Sequence, residues 1–286
     1  MSEDVVLTAQ ETRAAQRGQL ALRGGPWRSA LLILIVLAIV WEVAKVAFDI
    51  SDQKLPHLAA IAGVFFDRPQ GDDGPIRAVA MLSNAATTLG EAIMGFVLGG
   101  LLGCGLAMVF ASSRLIERSL LPYVVGSQTV PILAIAPMVV VGLGQMNAPD
   151  WLAKAVVAAY LTFFPVTIGM LRGLRSAPPD ALDLMRSYAA SPAQVFLKLR
   201  LPAALPYLFT SLKIAATASV IGALVAELPV GSRSGIGVEI IKAAQFYNAR
   251  PALLFATVIV AGAIGLLFYG AVALTERLIV RTRQTE

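Results

Sequence analysis

Two residue types that build reactive sites are almost missing from this 286-residue chain, which has one cysteine, Cys104, and one histidine, His57. A disulfide framework needs paired cysteines, and a zinc site needs three or four converging Cys, His or carboxylate ligands, so neither organises the fold. Cys104 lies in an apolar, Gly-rich run, where a free cysteine serves as a small packing residue. Charge is also scarce. Only 14% of residues are charged, against about a quarter in soluble domains. The formal charge of +5 does not gather into a basic stripe, so nucleic acid is excluded as a partner.

What the chain has instead is apolar length, with 57% hydrophobic residues and a mean hydropathy of +0.74. About 20 apolar residues cross a hydrocarbon core of roughly 30 Å. Six runs meet that length: Ser29 to Phe48, Asn84 to Phe110, Pro122 to Gly144, Trp151 to Leu171, Ala204 to Glu227 and Leu253 to Leu274. The sequence predicts an all-α membrane protein of six transmembrane helices. A tail of residues 1–28 precedes span 29–48, an external loop of residues 49–83 follows it, and a membrane domain of residues 84–281 ends in a tail of residues 282–286. The first run exceeds a signal-peptide h-region and lacks a small-residue cleavage site, so it reads as a span.

Orientation follows from the flanking cations, because basic loops stay cytoplasmic. Arg13, Arg17, Arg23 and Arg28 before span one, Arg114 and Arg118, then Arg172, Arg175, Arg186, Lys198 and Arg200, outweigh those on the other side. Both termini are expected inside. The external loop, with Asp49, Asp52, Asp67, Asp72 and Asp73, is acidic.

The longest cytoplasmic loop, residues 172–203, reads as two short helices. "PPDALDLMRSYAA" starts with two prolines suited to a first helical turn and places Asp180 near the positive helix end. In "SPAQVFLKLRLP", Ser191 is a natural N-cap, Pro192 fits the first helical position, and Gln194 completes a capping box. Leu201-Pro202 is expected to stop this second helix, since the residue before a proline avoids the α region.

"ALDLMRSYAASPAQVFLKLRLPAALP" resembles the EAA loop of ABC-importer permeases. Asp183 stands at the acidic position, Leu184 and Met185 replace the two alanines, Ala189 falls at the glycine position, and Leu201-Pro202 matches the closing pair. "LPYVVGSQTVPILAIAPMVVVGLG" is similar to the Pro-rich third span of the nitrate, sulfonate and taurine importer permeases, through Pro131, Ala134, Pro137 and Gly144. "IGALVAELPVGSRSGIGVEI" resembles that group's acidic exit from span five and Gly-x-Gly turn, at Glu227, Gly235 and Gly237. The chain also shares wording with the riboflavin and pyrimidine branch, in "MRSYAA" and "VAELPVGS".

The resemblance implies a type I ABC importer permease fold with both termini inside, in a bacterial inner membrane. It implies a non-catalytic subunit that binds no cofactor, with ATP and Mg held by two copies of a separate ATPase. No G-x-x-x-x-G-K-[ST] phosphate loop occurs in the chain. The further partners implied are a periplasmic or surface solute-binding protein, a second copy of the permease, and membrane lipid. Coupling to the ATPase falls to Asp183, Leu184, Met185, Ser187, Tyr188, Ala189, Ala190, Ser191 and Gln194. The substrate path, for a small polar organic, sulfonate-like or nitrate-like solute, falls to Gln128, Thr129 and Pro131 on span three and Thr217, Ser219, Gly222 and Glu227 on span five.

Several further readings come from spacing. Gly95, Gly99 and Gly103 share one helix face and are expected to pack against another span of the same chain. Glu91 is expected near the outer surface, Lys154 in an outer flank, Glu42 and Lys45 as a pair at i, i+3, and Lys213 snorkelling to the interface. Glu227 is either a gate or docking residue or a solvated helix end. A secondary transporter, the alternative, would carry internal repeats and midplane charges, and a membrane enzyme would carry convergent His, Cys or carboxylates. The sequence displays none of these patterns.

Overall fold

The computed structural model describes residues 26–68, 75–228, 232 and 234–281. The N-terminal tail before residue 26, Asp72 and Asp73 of the acidic loop, Arg233 and the tail after residue 281 lie outside the described residues. The helices are α1 Pro26–Ala47, α2 Leu58–Val64, α3 Arg77–Ser112, α4 Arg114–Ser127, α5 Ile132–Gln145 and α6 Asp150–Leu174. They continue as α7 Pro179–Ser187, α8 Pro192–Val195 with a π-helical turn Phe196–Arg200, α9 Leu201–Glu227, α10 Ile236–Gln245 and α11 Pro251–Arg281. Among the described residues five helical stretches are long and apolar enough to cross a membrane, or six if the bent pair α4 and α5 is one broken span.

The chain forms two compact units, divided after Ala62. In the first, the turn after α1 is fixed by side chains from α1 itself. Trp41 Nε1 donates to Pro56 O at 3.0 Å. Lys45 donates to Ile50 O, to Leu55 O and to Asp52 at 2.6 Å, and its ammonium holds the Asp52 carboxyl below the ordinary aspartate value. Glu42 accepts from the Leu58 N–H at 2.6 Å and lies 2.9 Å from His57 Nδ1. The expected Glu42–Lys45 pair is therefore replaced by two longer-range contacts, because the chain folds back over the end of α1.

The second unit is built on small residues. α3 runs along α6, α6 along α9, and α9 against α11 and α3. Gly95, Gly99 and Gly103 meet α6, as the spacing predicts: a Cβ on Gly99 would stand 2.6 Å from Ala159 O, and one on Gly103 2.6 Å from Phe163 O. The buried layers are largely alanine, with Ala92, Ala158 and Ala223 in one and Ala107, Phe110, Met170, Leu174 and Ala204 in another. Close backbone approach of this kind maximises dispersion contacts where lipid removes the hydrophobic drive between helices.

Two elements differ from the sequence expectation. Span three is not one helix over residues 122–144. It begins at Arg114, breaks after Ser127, and α4 and α5 meet at 91°. Pro131 has no N–H to continue the ladder and disfavours the α region just before it. The end of α4 closes with tight bonds from the Gln128 N–H to Val125 O and the Thr129 N–H to Gly126 O. The second difference is at Leu201-Pro202, which does not stop its helix: residues Pro192–Glu227 form one 36-residue stretch. The π turn resolves the conflict. Leu201 N–H reaches back five residues to Phe196 O, so the ladder is already shifted where Pro202 would leave a gap and the proline ring would press on the preceding turn.

Candidate functional site

The segment from Pro178 to Arg200 presents two short capped helices in succession. α7 ends in a Schellman turn, with the Ala190 N–H bonded to Met185 O at 3.0 Å and the Ala189 N–H to Arg186 O at 2.9 Å. Ala189 holds φ +49°, the left-handed conformation that glycine adopts without penalty. Next comes the predicted capping box. Ser191 Oγ accepts from the Gln194 N–H at 3.3 Å, and Gln194 Oε1 accepts from the Ser191 N–H at 2.8 Å. Asp183 pairs with Arg186 at 2.7 Å, both exposed, while Ser187 Oγ donates to Leu184 O. Leu184 and Tyr188 project with relative exposures of 56% and 75%, and Met185 is half-buried. Rigid backbone turns thus carry an exposed apolar and acidic surface.

The residues assigned to the path fall into two groups. Gln128, Thr129 and Pro131 gather at the break between α4 and α5, where Gln128 Nε2 donates to Ser127 Oγ and the Thr129 hydroxyl donates to Gly126 O. Tyr160 of α6 donates its hydroxyl to Ser127 O and ties that break to the bundle. On α9 the Thr217 hydroxyl is turned back to Ile214 O and that of Ser219 to Ala216 O. Ser219 is fully buried, and Gly222 is pressed on α6, where an added Cβ would meet Ala158 Cα at 2.6 Å. Within this chain Ser219 and Gly222 are closed packing positions.

At the opposite end of α9 lies a buried polar cluster that the sequence reading did not assemble. Glu227 is 1% exposed, which removes the solvated-end reading. Its carboxylate accepts from Thr88 Oγ1 at 2.7 Å and from the Gly237 N–H at 2.6 Å. Thr88 Oγ1 in turn accepts from the Ile236 N–H, and Asn84 Oδ1 from the Gly235 N–H. Three consecutive N–H groups at the start of α10 are therefore satisfied by side chains of α3 and α9, a helix cap supplied from other elements. Gly235 at φ +120° and Gly237, whose Cβ would stand 2.6 Å from Leu224 O, leave the room this needs.

Beside it, Lys154 donates to Glu91 at 2.8 Å and lies 3.0 Å from Asp150. Lys154 is 1% and Glu91 5% exposed, so the expectation of Glu91 as a surface charge is corrected: the two bury each other. The signal was present, since both charges stand inside α3 and α6, two helices whose glycine-mediated contact brings them together. Lys213, expected to snorkel, instead pairs with Glu276 of α11 at 2.7 Å. Among the described residues no three His, Cys, Asp or Glu side chains are placed to hold a metal ion.

Residues 95–281 match the family of the binding-protein-dependent transport system inner membrane component. A probable ABC transporter permease protein of Haemophilus influenzae is 34% identical over 241 residues, covering 84% of this chain and 91% of that protein. The formylaminopyrimidine transport permease protein ThiX of Halalkalibacterium halodurans is 31% identical, covering 89% and 96%. Among solved structures, the inward-facing MetNI methionine ABC transporter matches with a TM-score of 0.52 at 19% identity, over 70% of this chain and 94% of that one. This last likeness concerns the fold, a type I importer permease architecture.

Proposed function

The chain belongs to the family of binding-protein-dependent transport system inner membrane components, multi-pass proteins of the bacterial inner membrane, and on that premise we propose that it is the non-catalytic, path-forming subunit of an ATP-driven importer. The observation that carries the coupling role is the Pro178–Arg200 segment, whose two turns are closed by a Schellman motif and a capping box while Leu184 and Tyr188 stay exposed. A stiff segment with an exposed apolar face fits a groove on a partner and transmits displacement to it. Asp183 and the apolar pair are read as the contact with the ATPase, and Ser191 and Gln194 as the residues that keep the second helix formed.

One six-span chain supplies half of a path, so two copies are read as combining with two ATPase subunits. Both termini are read as cytoplasmic, where the basic flanks lie. The solute is read as a small polar organic molecule, delivered by a separate binding protein, and the pyrimidine specificity named for ThiX makes a pyrimidine or a related vitamin the first ligand to test. The Gln128–Pro131 break and Thr217 are its proposed path positions, and the α10 cap at Glu227 its outer gate.

The test is uptake into sealed vesicles containing this chain and its ATPase, with binding protein added outside. Uptake should require ATP within, and Asp183→Lys should lower both ATPase recovery and uptake without changing membrane insertion. ATP-independent uptake driven by an ion gradient would replace this reading with a secondary transporter.

A further inference from the structure

A cavity of about 960 Å³ opens beside the coupling segment, walled by α4, the end of α6, α7 and the π turn. Four arginines line it, Arg114, Arg118, Arg175 and Arg200, against one carboxylate, Glu117. Glu117 is committed, because both its oxygens engage the two terminal nitrogens of Arg175, one of them at 2.6 Å. The side chains of Arg114, Arg118 and Arg200 are in no hydrogen bond or ion pair among the described residues, and the Glu117 charge is felt by Arg114 and Arg118 only at a distance. The cavity therefore carries an excess of positive charge that this chain does not neutralise.

The first turn of α4 concentrates these cations, with Glu117 the acidic side chain beside them. Arg114 is the first residue of α4 and Arg118 lies one turn on, at the positive end of a 14-residue helix, where anions are preferred. α4 has no buried residue, and its other face exposes Leu115 and Tyr123 at 76% and 77%. α4 thus carries exposed apolar side chains beside the exposed Arg114 and Arg118, a composition suited to the boundary between headgroups and hydrocarbon, and it meets the apolar α5 at 91°.

We propose that this cavity binds a phosphate-bearing anion. Guanidinium groups match phosphate oxygens by paired N–H donors, and a pocket of this volume admits a whole headgroup as readily as a free phosphate. The anion neutralises Arg114 and Arg118 and bridges them to Arg200 on the π turn, so it fastens the start of span three to the coupling segment. Its two sources, an anionic phospholipid and a free phosphate, share that chemistry.

The test uses the purified full-length chain, stripped of lipid, with native mass spectrometry and thermal unfolding as readouts. Phosphatidylglycerol should bind about thirtyfold tighter than phosphatidylcholine, the expectation for two arginines acting on a surface anion. Arg114→Gln with Arg118→Gln should abolish that preference, Arg118→Lys should keep part of it, and Arg28→Gln, an exposed cation of α1, should leave it unchanged. Displacement of the lipid, and stabilisation, by millimolar inorganic phosphate identifies the free anion as the ligand; stabilisation by phosphatidylglycerol alone identifies the headgroup. Equal binding of the two lipids by the unaltered chain with no effect of phosphate overturns the proposal, and so does a preference that Arg28→Gln lowers as much as the double change.

Discussion

Lys154 neutralises Glu91 in a place where, among the described residues, the carboxylate has no other cation, while Lys154 itself also lies 3.0 Å from Asp150. Removing one partner of a buried pair costs about 3–5 kcal/mol, because the other is left uncompensated. Lys154→Met should therefore lower the unfolding midpoint in detergent sharply, and Lys154→Met with Glu91→Gln should recover a large part of the loss, the measurement being a thermal melt of the two variants beside the parent. Ala189 gives a prediction of opposite sign. An alanine at φ +49° is strained by about 1–2 kcal/mol, so Ala189→Gly should stabilise the turn between α7 and α8, read as slower amide exchange at Ala190 and Ser191. Sequence reasoning reached this position only as a mismatch to the family's glycine. The pairing of Lys154 with Glu91 lay further out of reach, since the two are separated by 63 positions and meet only when α3 packs on α6.

On the scale of elements, what was legible was local and what was missed was relational. The capping box at Ser191 and Gln194 is an i, i+3 device and needs no tertiary information. Ser191→Ala with Gln194→Ala should fray α8 at on the order of 1 kcal/mol for each arm, and transport should fall further than basal ATP hydrolysis in the reconstituted complex. The stripe of Gly95, Gly99 and Gly103 was equally readable, because period four on a helix defines a face wherever that face goes. Gly99→Ala forces a methyl group into Ala159 O and should destabilise by about 1–3 kcal/mol, whereas Gly105→Ala, with nothing within 4 Å, should be neutral or mildly stabilising in the same melt. Proline was the misleading signal. Pro131 breaks span three as proline rules suggest, yet Pro202 interrupts nothing, because a single widened turn from Phe196 to Arg200 absorbs it.

For the whole molecule, five of the six apolar runs are single long helices and the sixth is a bent pair, while the bundle order followed only from the packing of small residues. Reporter fusions after Arg175 and after Arg283 should both read cytoplasm and one near Asp72 the outside, and a single inversion would sink the proposed orientation. The uninterrupted stretch from Pro192 to Glu227 has a mechanical consequence. Thirty-six residues at 1.5 Å each make a strut of roughly 54 Å, well beyond the hydrocarbon thickness of about 30 Å. One end carries the Ser191 cap and the other the Glu227 carboxylate that holds the first turn of α10. A tilt imposed at the first end is thus carried to the second along one continuous tie-rod, with the five-residue π turn near its base as a compliant link.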